Sequence, residues 1–383
     1  MEFSQEQNQF AEAVRDFCAQ ECGTVAQRDS ITEGGTLSNS PSLLKKFAEL
    51  GWLAISLPEE YGGGGGTFVD ECIFLEETTR GLAPIHAYGT GLTAAQTYLK
   101  WGNDEQKRTV FGNLAAGKFE AISLSEPGAG SDLGGVKLKS EHIGDEYVIN
   151  GQKTWCTAAH VAEHLLVLTR EDNTGTKHQG LTLLMVPTST PGLDIREIKV
   201  MDARTVNDIF FTDVRVPESA VVGKPKNAWK QLMRGLGVER LIIAITAVGA
   251  AQRSLDDAIA YISQREQFGH PISSYQAIRH RIADLATDIA FARTFVYDVA
   301  AKIDAGKEDQ LARESAMAKM RCTEIAKNTA LEAMQMMGGY GYTVEYGMEA
   351  QVRHSLAPTI YGGTNEIQRE IIAKSLLPSV TPS

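Results

Sequence analysis

The chain has 383 residues, of which 43% are hydrophobic and 22% are charged, and its net charge at pH 7 is −11. This composition excludes a disordered or collagen-like protein, and the length allows two or three domains. A general nucleic-acid surface is excluded as well, because binding to phosphates needs clustered Lys and Arg. No nucleic-acid partner is therefore expected, whereas an anionic ligand still fits if a few Arg side chains face one cleft.

The cysteines and the apolar runs indicate where the protein resides. Five cysteines, an odd number, are spread sparsely along the chain, which is typical of a reduced intracellular protein rather than a disulfide scaffold. The polar start MEFSQEQNQF predicts no signal or transit peptide. The longest apolar run, Leu241 to Ala251, is too short to span a bilayer. We therefore expect a cytoplasmic protein without a membrane span.

Helical patterns dominate the first part of the chain. Phe10, Val14 and Phe17 recur at helical spacing, and Pro41 opens a second helical segment that runs to Leu50. The glycine run 62–66 lacks the spacing of a phosphate-binding loop and predicts a flexible turn between helices. We assign residues 1–119 to an N-terminal all-α domain.

The pattern then changes to strands and back to helices. EYVING, HLLVLTR, GLTLLMVP and GLDIREI alternate like strands and predict a middle β domain of about seven strands, sandwich-like or barrel-like, over residues 120–226. Residues 227–383 carry long amphipathic segments that predict an antiparallel four-helix bundle. These segments are Trp229–Arg265, Tyr275–Ala305, Gln310–Met337 and a shorter one after Thr364. The predicted fold class is a multi-domain α+β protein.

Two motifs of the middle domain suggest a ligand site. LSEPGAGSD, from Leu124 to Asp132, predicts a sharp loop with free backbone N–H groups, hydroxyls and two glycines that allow close approach. NGQKTWCT follows, and strand geometry places Trp155 and Thr157 on the same face. A phosphate or a polar ring system suits the first loop, and the second motif places a flat aromatic ring beside a hydroxyl. For Trp155 alone, a buried structural role is the alternative.

Together these motifs resemble the acyl-CoA dehydrogenase family, as do PEEYGGGG before them and FFTDVRVPESAVVG after them, and the resemblance covers essentially the whole chain. It implies FAD as the cofactor and α,β-dehydrogenation of an acyl-CoA substrate, as in fatty-acid β-oxidation. It also implies an electron-transfer flavoprotein as the electron acceptor. The expected assembly is a homotetramer, a dimer of dimers in which neighbouring subunits share the FAD sites.

The resemblance assigns cofactor contacts residue by residue. Leu124 and Ser125 are expected at the pyrimidine side of the flavin, Trp155 over one face and Thr157 near N5, while Ser131 is expected near the phosphates and the acyl-CoA. The segments REQFG and QMMGGYGYTVEY resemble stretches that reach FAD across a subunit interface. The further residues expected to meet FAD or to close its site are Arg265, Phe268, Gln276, Gln335, Gly338, Gly339, Thr364 and Glu366.

The catalytic base needs a separate assignment. Many family members carry a Glu after a Tyr near the C-terminus, but here Tyr361 is followed by Gly362. A subset resembling long-chain and isovaleryl-type enzymes has its base in a Glu-Arg-Leu context on a helix, and Glu239 precedes Arg240 in that context here. Burial beside the apolar run would raise the pKa of this carboxyl group. We predict Glu239 as the base and Arg240 as its electrostatic partner; a solvated or structural Glu–Arg pair is the alternative.

The substrate contacts follow from the same resemblance. Ser131, Arg240, Tyr361 and Gly362 are expected at the acyl-CoA, with the Gly362 backbone N–H donating to the thioester oxygen together with a flavin ribityl hydroxyl. Gly362 and Gly363 opposite the base are expected to leave room near the β-carbon, which favours branched or bulky acyl chains.

Three alternatives stay open at this point: a catalytically silent FAD-site subunit of a hetero-oligomer, a flavin oxidase or monooxygenase, and an acyl-carrier-protein dehydrogenase. The stretch from His160 to His164 matches the H-x-x-E-H zinc pattern, but it lies between strands rather than on a helix, so no metal is predicted. Ala350 and His354, on either side of Arg353, replace the family's usual basic residue and Asp.

Overall fold

A computed structural model describes residues 2–172 and 174–378, with no account of the side chains of residues 234–236. Along these residues helices come first, then strands, then helices, so the predicted three-domain fold class is confirmed. The domain boundaries at residues 119 and 226 stay predictions. No described helix is long and apolar enough to cross a membrane, and the five cysteines are buried and free.

The helices lie at both ends of the chain. They are α1 (Gln5–Cys22), α2 (Val25–Ile31), α3 (Pro41–Glu49), α4 (Phe68–Arg80), α5 (His86–Trp101), α6 (Asp104–Ala115), α7 (Ala228–Gln264), α8 (Gln276–Asp304), α9 (Ala312–Met337), α10 (Met348–Leu356) and α11 (Asn365–Leu376). The three long predicted helices and the shorter one after Thr364 thus correspond to α7, α8, α9 and α11.

The strands are β1 (Phe119–Ser123), β2 (Lys139–Ile143), β3 (Glu146–Thr157), β4 (Ala162–Arg170), β5 (Leu181–Pro187), β6 (Leu193–Glu197), β7 (Val206–Pro217), β8 (Glu266–Gln267) and β9 (His270–Pro271). The first seven form one sheet in the order β1-β4-β2-β3-β7-β6, with β5 paired to β4. β8 and β9 form a separate two-stranded ribbon.

The described chain divides into two compact units. The β unit comprises Ile31–Gly66 and Pro84–Leu236, and it contains the seven-stranded sheet with α3, α5 and α6. The helical unit comprises the described parts of Met1–Ser30, Thr67–Ala83 and Gly237–Ser383, with α1, α4 and most of the C-terminal helices. Each unit carries one group of the predicted site residues.

The β unit is stabilised by an apolar core on its sheet. Ile149 of β3, Leu165 of β4 and Ile209 of β7 are fully buried members of this core. Burial of such side chains removes apolar surface from water, which is the main favourable term in folding. The strand β3 pairs with β7 through two register shifts, and the second lies between Lys153 and Cys156. This irregularity coincides with the predicted Trp155 motif.

The glycine run differs from the prediction of a flexible turn. The backbone N–H groups of Gly63, Gly64, Gly65 and Gly66 donate to carbonyl oxygens of residues 54–58, at 2.8–3.0 Å. A Cβ at Gly63 would lie 2.3 Å from the Leu57 carbonyl oxygen, so only glycine allows this approach. The segment is therefore an ordered turn, and backbone hydrogen bonding that periodicity does not reveal makes it so.

Polar side chains fix several elements of the helical unit. Asp304, at the end of α8, accepts hydrogen bonds from the N–H groups of Phe68 and Val69 at 2.6 and 3.1 Å, and so caps α4. Glu76 of α4 accepts from Arg293 and Tyr297 of α8 at 2.6 and 2.7 Å. These contacts join two helices that are far apart in sequence.

Candidate active site

Glu239 and Arg240 lie on α7, but they do not form a pair. Glu239 is partly buried, and Arg240 is only 8% exposed. Consecutive residues of a helix point in different directions, and among the described residues no ion pair joins these two. Arg240 Nε has no hydrogen-bond partner there either. The two side chains therefore form no direct ion pair, although the Arg240 charge still lowers the pKa of Glu239.

The glycine at position 362 faces the Glu239 carboxylate. A Cβ at Gly362 would lie 3.7 Å from Glu239 Oε1 and 2.4 Å from Ile243 Cδ1. The backbone of Gly362 has φ of 63°, in the left-handed region that favours glycine. The space beside Gly362 is therefore shared with the carboxylate of α7 and leaves no room for a side chain on residue 362.

Substituting Gly362 by Ala is expected to lower the free energy of unfolding by about 2–4 kcal/mol, from left-handed strain and the clash with Ile243. Gly306→Ala is the matched control, because Gly306 has φ of 70° and open space around its Cβ position. The control should lose only the backbone contribution, about 1–2 kcal/mol. Urea unfolding of both variants measures the difference, and equal losses would contradict the packing at residue 362.

Two buried side chains hold the turn that contains Gly362. Lys319 Nζ donates to the Gly363 carbonyl oxygen at 2.8 Å and to Asn365 Oδ1 at 3.0 Å. Gln368 Nε2 donates to the carbonyl oxygens of Gly362 and Gly363 at 3.1 and 2.9 Å. Neither residue was predicted from the sequence, although a lysine on the apolar face of α9 was a signal for the first.

Burial and charge act in opposite directions on this cluster. Burial raises the pKa of Glu239, while the positive charges of Arg240 and Lys319 lower it by a smaller amount. Burial also lowers the pKa of Lys319 to about 8, although the negative charge of Glu239 raises it. Tyr361 is half exposed as a whole residue, yet desolvation of its phenol and the Glu239 charge raise its pKa to about 12. The cluster thus contains a carboxylate that protonates more readily than usual, as general-base work requires.

The second group of predicted residues lies in the β unit, where a buried ion pair supports the loop 124–131. Lys153, which is 0% exposed, donates from Nζ to Glu126 Oε1 at 2.8 Å and to the Leu124 carbonyl oxygen at 2.7 Å. Glu126 also accepts from the N–H groups of Lys137 and Leu138 at 2.7 and 2.8 Å. The loop is therefore fixed from its buried side.

The open side of this loop has the features that a flavin needs. Cβ atoms at Gly128 or Gly130 would meet nothing within 4 Å, so a ligand can approach the backbone there. Trp155 is 59% exposed and has φ of 59°, which excludes the buried structural role considered for it. Thr157 is partly buried, and Cys156, which lies between Trp155 and Thr157 in the sequence, is buried. An exposed indole beside a hydroxyl fits a flat, polar ring system such as FAD's isoalloxazine.

Other predicted contacts meet in a cleft of about 460 Å³ in the helical unit. Arg265, Gly338 and Gly339 line it, and the Arg265 guanidinium lies 5.7 Å from the Tyr340 ring centroid. Gly338 has φ of 63°, a backbone conformation that favours glycine. Exposed glycine backbone, an arginine and aromatic rings are suited to the ADP part of a dinucleotide.

The remaining predicted contacts lie at the surface or in caps. Gln276, Gln335 and Phe268 are exposed, Phe268 by 93%, and none of them is among the residues lining this cleft. Thr364 caps α11 by accepting from the Ile367 N–H at 3.3 Å. Glu366 is exposed, and its Oε1 lies 3.4 Å from Arg369 Nη1. The further residues, Leu124, Ser125 and Ser131, lie on the supported loop and are partly or fully exposed.

The two histidines of the zinc-like pattern have separate partners. His160 Nδ1 lies 3.2 Å from Asn207 Nδ2, and His164 Nδ1 lies 2.9 Å from Glu120 Oε1. Arg353 lies between Ala350 and His354, where this chain differs from the family pattern. It pairs with Glu349 of the same helix, with Nε 2.7 Å from Glu349 Oε2. Neither feature adds a residue to the three clusters described above.

Comparison with known proteins identifies the family. The profiles described as acyl-CoA dehydrogenase N-terminal, middle and C-terminal domains match residues 4–118, 121–214 and 228–377. The chain is 38% identical to the probable acyl-CoA dehydrogenase YngJ of Bacillus subtilis over 98% of this chain and 99% of that protein. It is 33% identical to the caffeyl-CoA reductase-Etf complex subunit CarC of Acetobacterium woodii, over 98% of this chain and 100% of that protein.

Solved structures agree with this family. An acyl-CoA dehydrogenase from Geobacillus kaustophilus matches with a TM-score of 0.90 and 33% identity over 98% of each chain. A glutaryl-CoA dehydrogenase from Mycobacterium smegmatis in complex with FADH2 matches with a TM-score of 0.87 and 26% identity, over 98% of this chain and 95% of that one. The chain therefore belongs to the acyl-CoA dehydrogenase family and is an FAD-dependent oxidoreductase.

Proposed function

We propose that this chain oxidises an acyl-CoA thioester at the α and β carbons, with Glu239 as the general base. The observation that supports this most is the short distance at position 362, where a Cβ would lie 3.7 Å from Glu239 Oε1. The carboxylate on α7 thus adjoins the position at which many family members carry their base. This proximity supports assigning the chain to the subset with its base on the helix.

The proposed roles follow from the chemistry. Glu239, in its carboxylate form, takes the α-proton, and the electron pair of that C–H bond forms the new C=C bond. The β-hydrogen leaves as hydride, for which bound FAD supplies the two-electron acceptor. The product is a trans-2-enoyl thioester. The charge of Arg240 helps to keep Glu239 ionised before the step, in line with its lowering effect on the Glu239 pKa.

The thioester oxygen is proposed to accept a hydrogen bond from the Gly362 backbone N–H. Negative charge grows on this oxygen while the α-proton leaves, and a fixed donor stabilises that charge. Support comes from the turn itself, because the carbonyl oxygens of Gly362 and Gly363 are held by Gln368. Tyr361 and Ser131 are proposed as further substrate contacts.

The FAD contacts are proposed in two groups. Leu124, Ser125, Trp155 and Thr157 would surround the flavin ring, and this is supported by the braced loop and the exposed indole. In the second group, Arg265, Phe268 and Gln276 would reach FAD in a neighbouring subunit, and Gln335, Gly338 and Gly339 would bind its ADP half across the same interface. Thr364 and Glu366 would meet the cofactor or close the site. The open cleft beside Gly338 supports the second group.

The assembly and the acceptor are proposed on the same basis. An FAD site shared between subunits requires an oligomer, and we propose a homotetramer. An electron-transfer flavoprotein is proposed as the acceptor, which is supported by the relative named as part of an Etf complex. We also propose a cytoplasmic location, since five free, buried thiols suit a reducing compartment.

Anaerobic mixing of the FAD-loaded protein with a panel of acyl-CoAs tests the proposed activity. The panel should contain straight, branched and ring-containing acyl groups, and we expect branched or bulky members to bleach the flavin fastest. The matching trans-2-enoyl-CoA should appear in equal amount. A protein purified without FAD would instead favour the silent subunit. Rapid oxygen uptake would favour an oxidase or monooxygenase, and reaction only with a carrier-protein thioester would favour the biosynthetic alternative.

The reverse reaction is a second candidate. The relative from Acetobacterium woodii is named a subunit of a caffeyl-CoA reductase complex, which favours reduction of an enoyl-CoA thioester as the second candidate for this chain. In that direction Glu239 would donate its proton to the α-carbon. Cinnamoyl-CoA added to the dithionite-reduced protein distinguishes the two, because a reductase reoxidises the flavin with it faster than any saturated acyl-CoA bleaches it.

A further inference from the structure

Lys319 is a fully buried lysine whose position is unusual. Its side chain is 0% exposed on α9, and within the described residues it forms no ion pair with any carboxylate. Removing an ammonium group from water costs several kcal/mol, which hydrogen bonds repay only in part. A neutral donor would hold the turn at lower cost. The charge itself therefore needs an explanation.

The charged groups around Lys319 supply one. The carboxylates of Glu239 on α7 and Glu366 on α11 attract its charge, and Arg240 on α7 opposes it. The charges of Arg240 and Lys319 lower the pKa of Glu239 in turn, and the charge of Glu239 raises that of Tyr361. Burial drives Glu239 toward its protonated form, in which it cannot accept a proton. A buried positive charge nearby opposes this effect without contact with solvent.

Lys319 also holds the backbone of the same site. Its ammonium group binds the carbonyl oxygen of Gly363 and the side chain of Asn365, while Gln368 binds the carbonyls of Gly362 and Gly363. Gly362 and Gly363 both have positive φ, 63° and 79°. Backbone in this region has few local restraints when both residues are glycine, so the two side chains determine how the turn is oriented.

We propose that Lys319 is a positioning residue of the active site, which orients the Gly362–Gly363 turn and keeps Glu239 in its carboxylate form. The inference rests on the proposed function and deepens it. Lys319 itself does not touch the reacting atoms. Its two effects are separable, because Gln368 shares the contacts to the turn but carries no charge.

The test uses FAD-loaded protein and 3-thiabutyryl-CoA, in which sulfur replaces the β-carbon and no hydride can leave. Loss of its α-proton gives an enolate that produces a long-wavelength absorbance band with oxidised flavin, so the pH midpoint of the band reports on the base. Lys319→Met should raise this midpoint by about one pH unit or more, because an attractive charge is lost. Lys319→Arg should restore it.

The controls separate charge, contacts and folding. Lys327→Met removes a charge from the same helix, and its midpoint should stay that of the unmodified protein. Gln368→Leu should leave the midpoint unchanged. It should lower the maximal rate of flavin reduction by isovaleryl-CoA about tenfold, with KM less affected, because the Gly362 N–H donor is then held less firmly. Should Lys319→Met fail to fold, Lys319→Gln takes its place with the same expected shift.

An unchanged midpoint in the Lys319 variant overturns the inference, and so does a normal maximal rate in Gln368→Leu. Failure of the proposed function looks different. In that case Glu239→Gln would still develop the band, or the unmodified protein would give no band at any pH.

Discussion

Glu239→Gln is expected to slow flavin reduction by acyl-CoA about a thousandfold or more, while the protein still binds FAD. The amide is nearly the same size as the carboxylate but cannot accept the α-proton, and general bases contribute about a hundredfold to ten-thousandfold. Residue 362 is a glycine and has no carboxylate of its own that could replace Glu239. Anaerobic stopped-flow spectroscopy of the flavin measures the rate, and the FAD-to-protein ratio shows that the cofactor remains.

The same substitution should raise stability at neutral pH. Burial raises the pKa of Glu239 above its ordinary 4.5, so the folded protein holds its proton more tightly than the unfolded chain. Stability contributed by this group is therefore lost as the pH rises from 4.5 through the folded pKa. Gln cannot ionise and avoids that loss. By the same reasoning, the rate of flavin reduction in the unmodified protein should fall as the pH drops through a pKa above 4.5.

Glu370→Gln on α11 is the matched control for Glu239→Gln. Its carboxylate is exposed and lies 4.0 Å from Lys374. Exposed pairs of this kind contribute little, so both the rate and the stability should stay close to those of the unmodified protein. Near-normal flavin reduction in Glu239→Gln would rule out Glu239 as the base and leave the structural interpretation of this residue.

Lys153→Met is expected to destabilise the protein by about 3–5 kcal/mol and to lower its affinity for FAD. The substitution leaves Glu126 buried without its cation, and removal of one partner of a buried pair has this effect. The Leu124 carbonyl oxygen would lose its donor at the same time. The loop 124–131 would then be held by fewer contacts on its buried side, so the predicted flavin contacts at Leu124 and Ser125 would lose their fixed geometry.

Urea unfolding and the FAD content of the purified variant measure these two effects. Lys139→Met is the matched control, because Lys139 on the neighbouring strand β2 is exposed and pairs with Glu141. Its expected change in stability is within about 0.5 kcal/mol, with FAD content unchanged. A Lys153→Met protein with normal FAD content would show that the ion pair serves stability alone.

Much of the fold follows directly from the sequence. The predicted segment Tyr275–Ala305 became α8 (Gln276–Asp304), and Gln310–Met337 became α9 (Ala312–Met337), because long amphipathic patterns leave few alternatives. The glycine run was harder to interpret. Its order depends on carbonyl oxygens of residues 54–58, and hydrogen bonds to backbone leave no trace in side-chain periodicity.

The sequence by itself determined the family, the order of the domains and the identity of Glu239 as candidate base, because these depend on residue type and local spacing. Only the tertiary structure decided that Gly362 adjoins Glu239 and that Lys319 and Lys153 are buried. These residues are far apart in the chain: Lys319 binds Gly363, and Lys153 binds Leu124. Their proximity results from packing between elements, and the pKa values of Glu239 and Lys319 depend on that packing because desolvation acts only where distant segments exclude water.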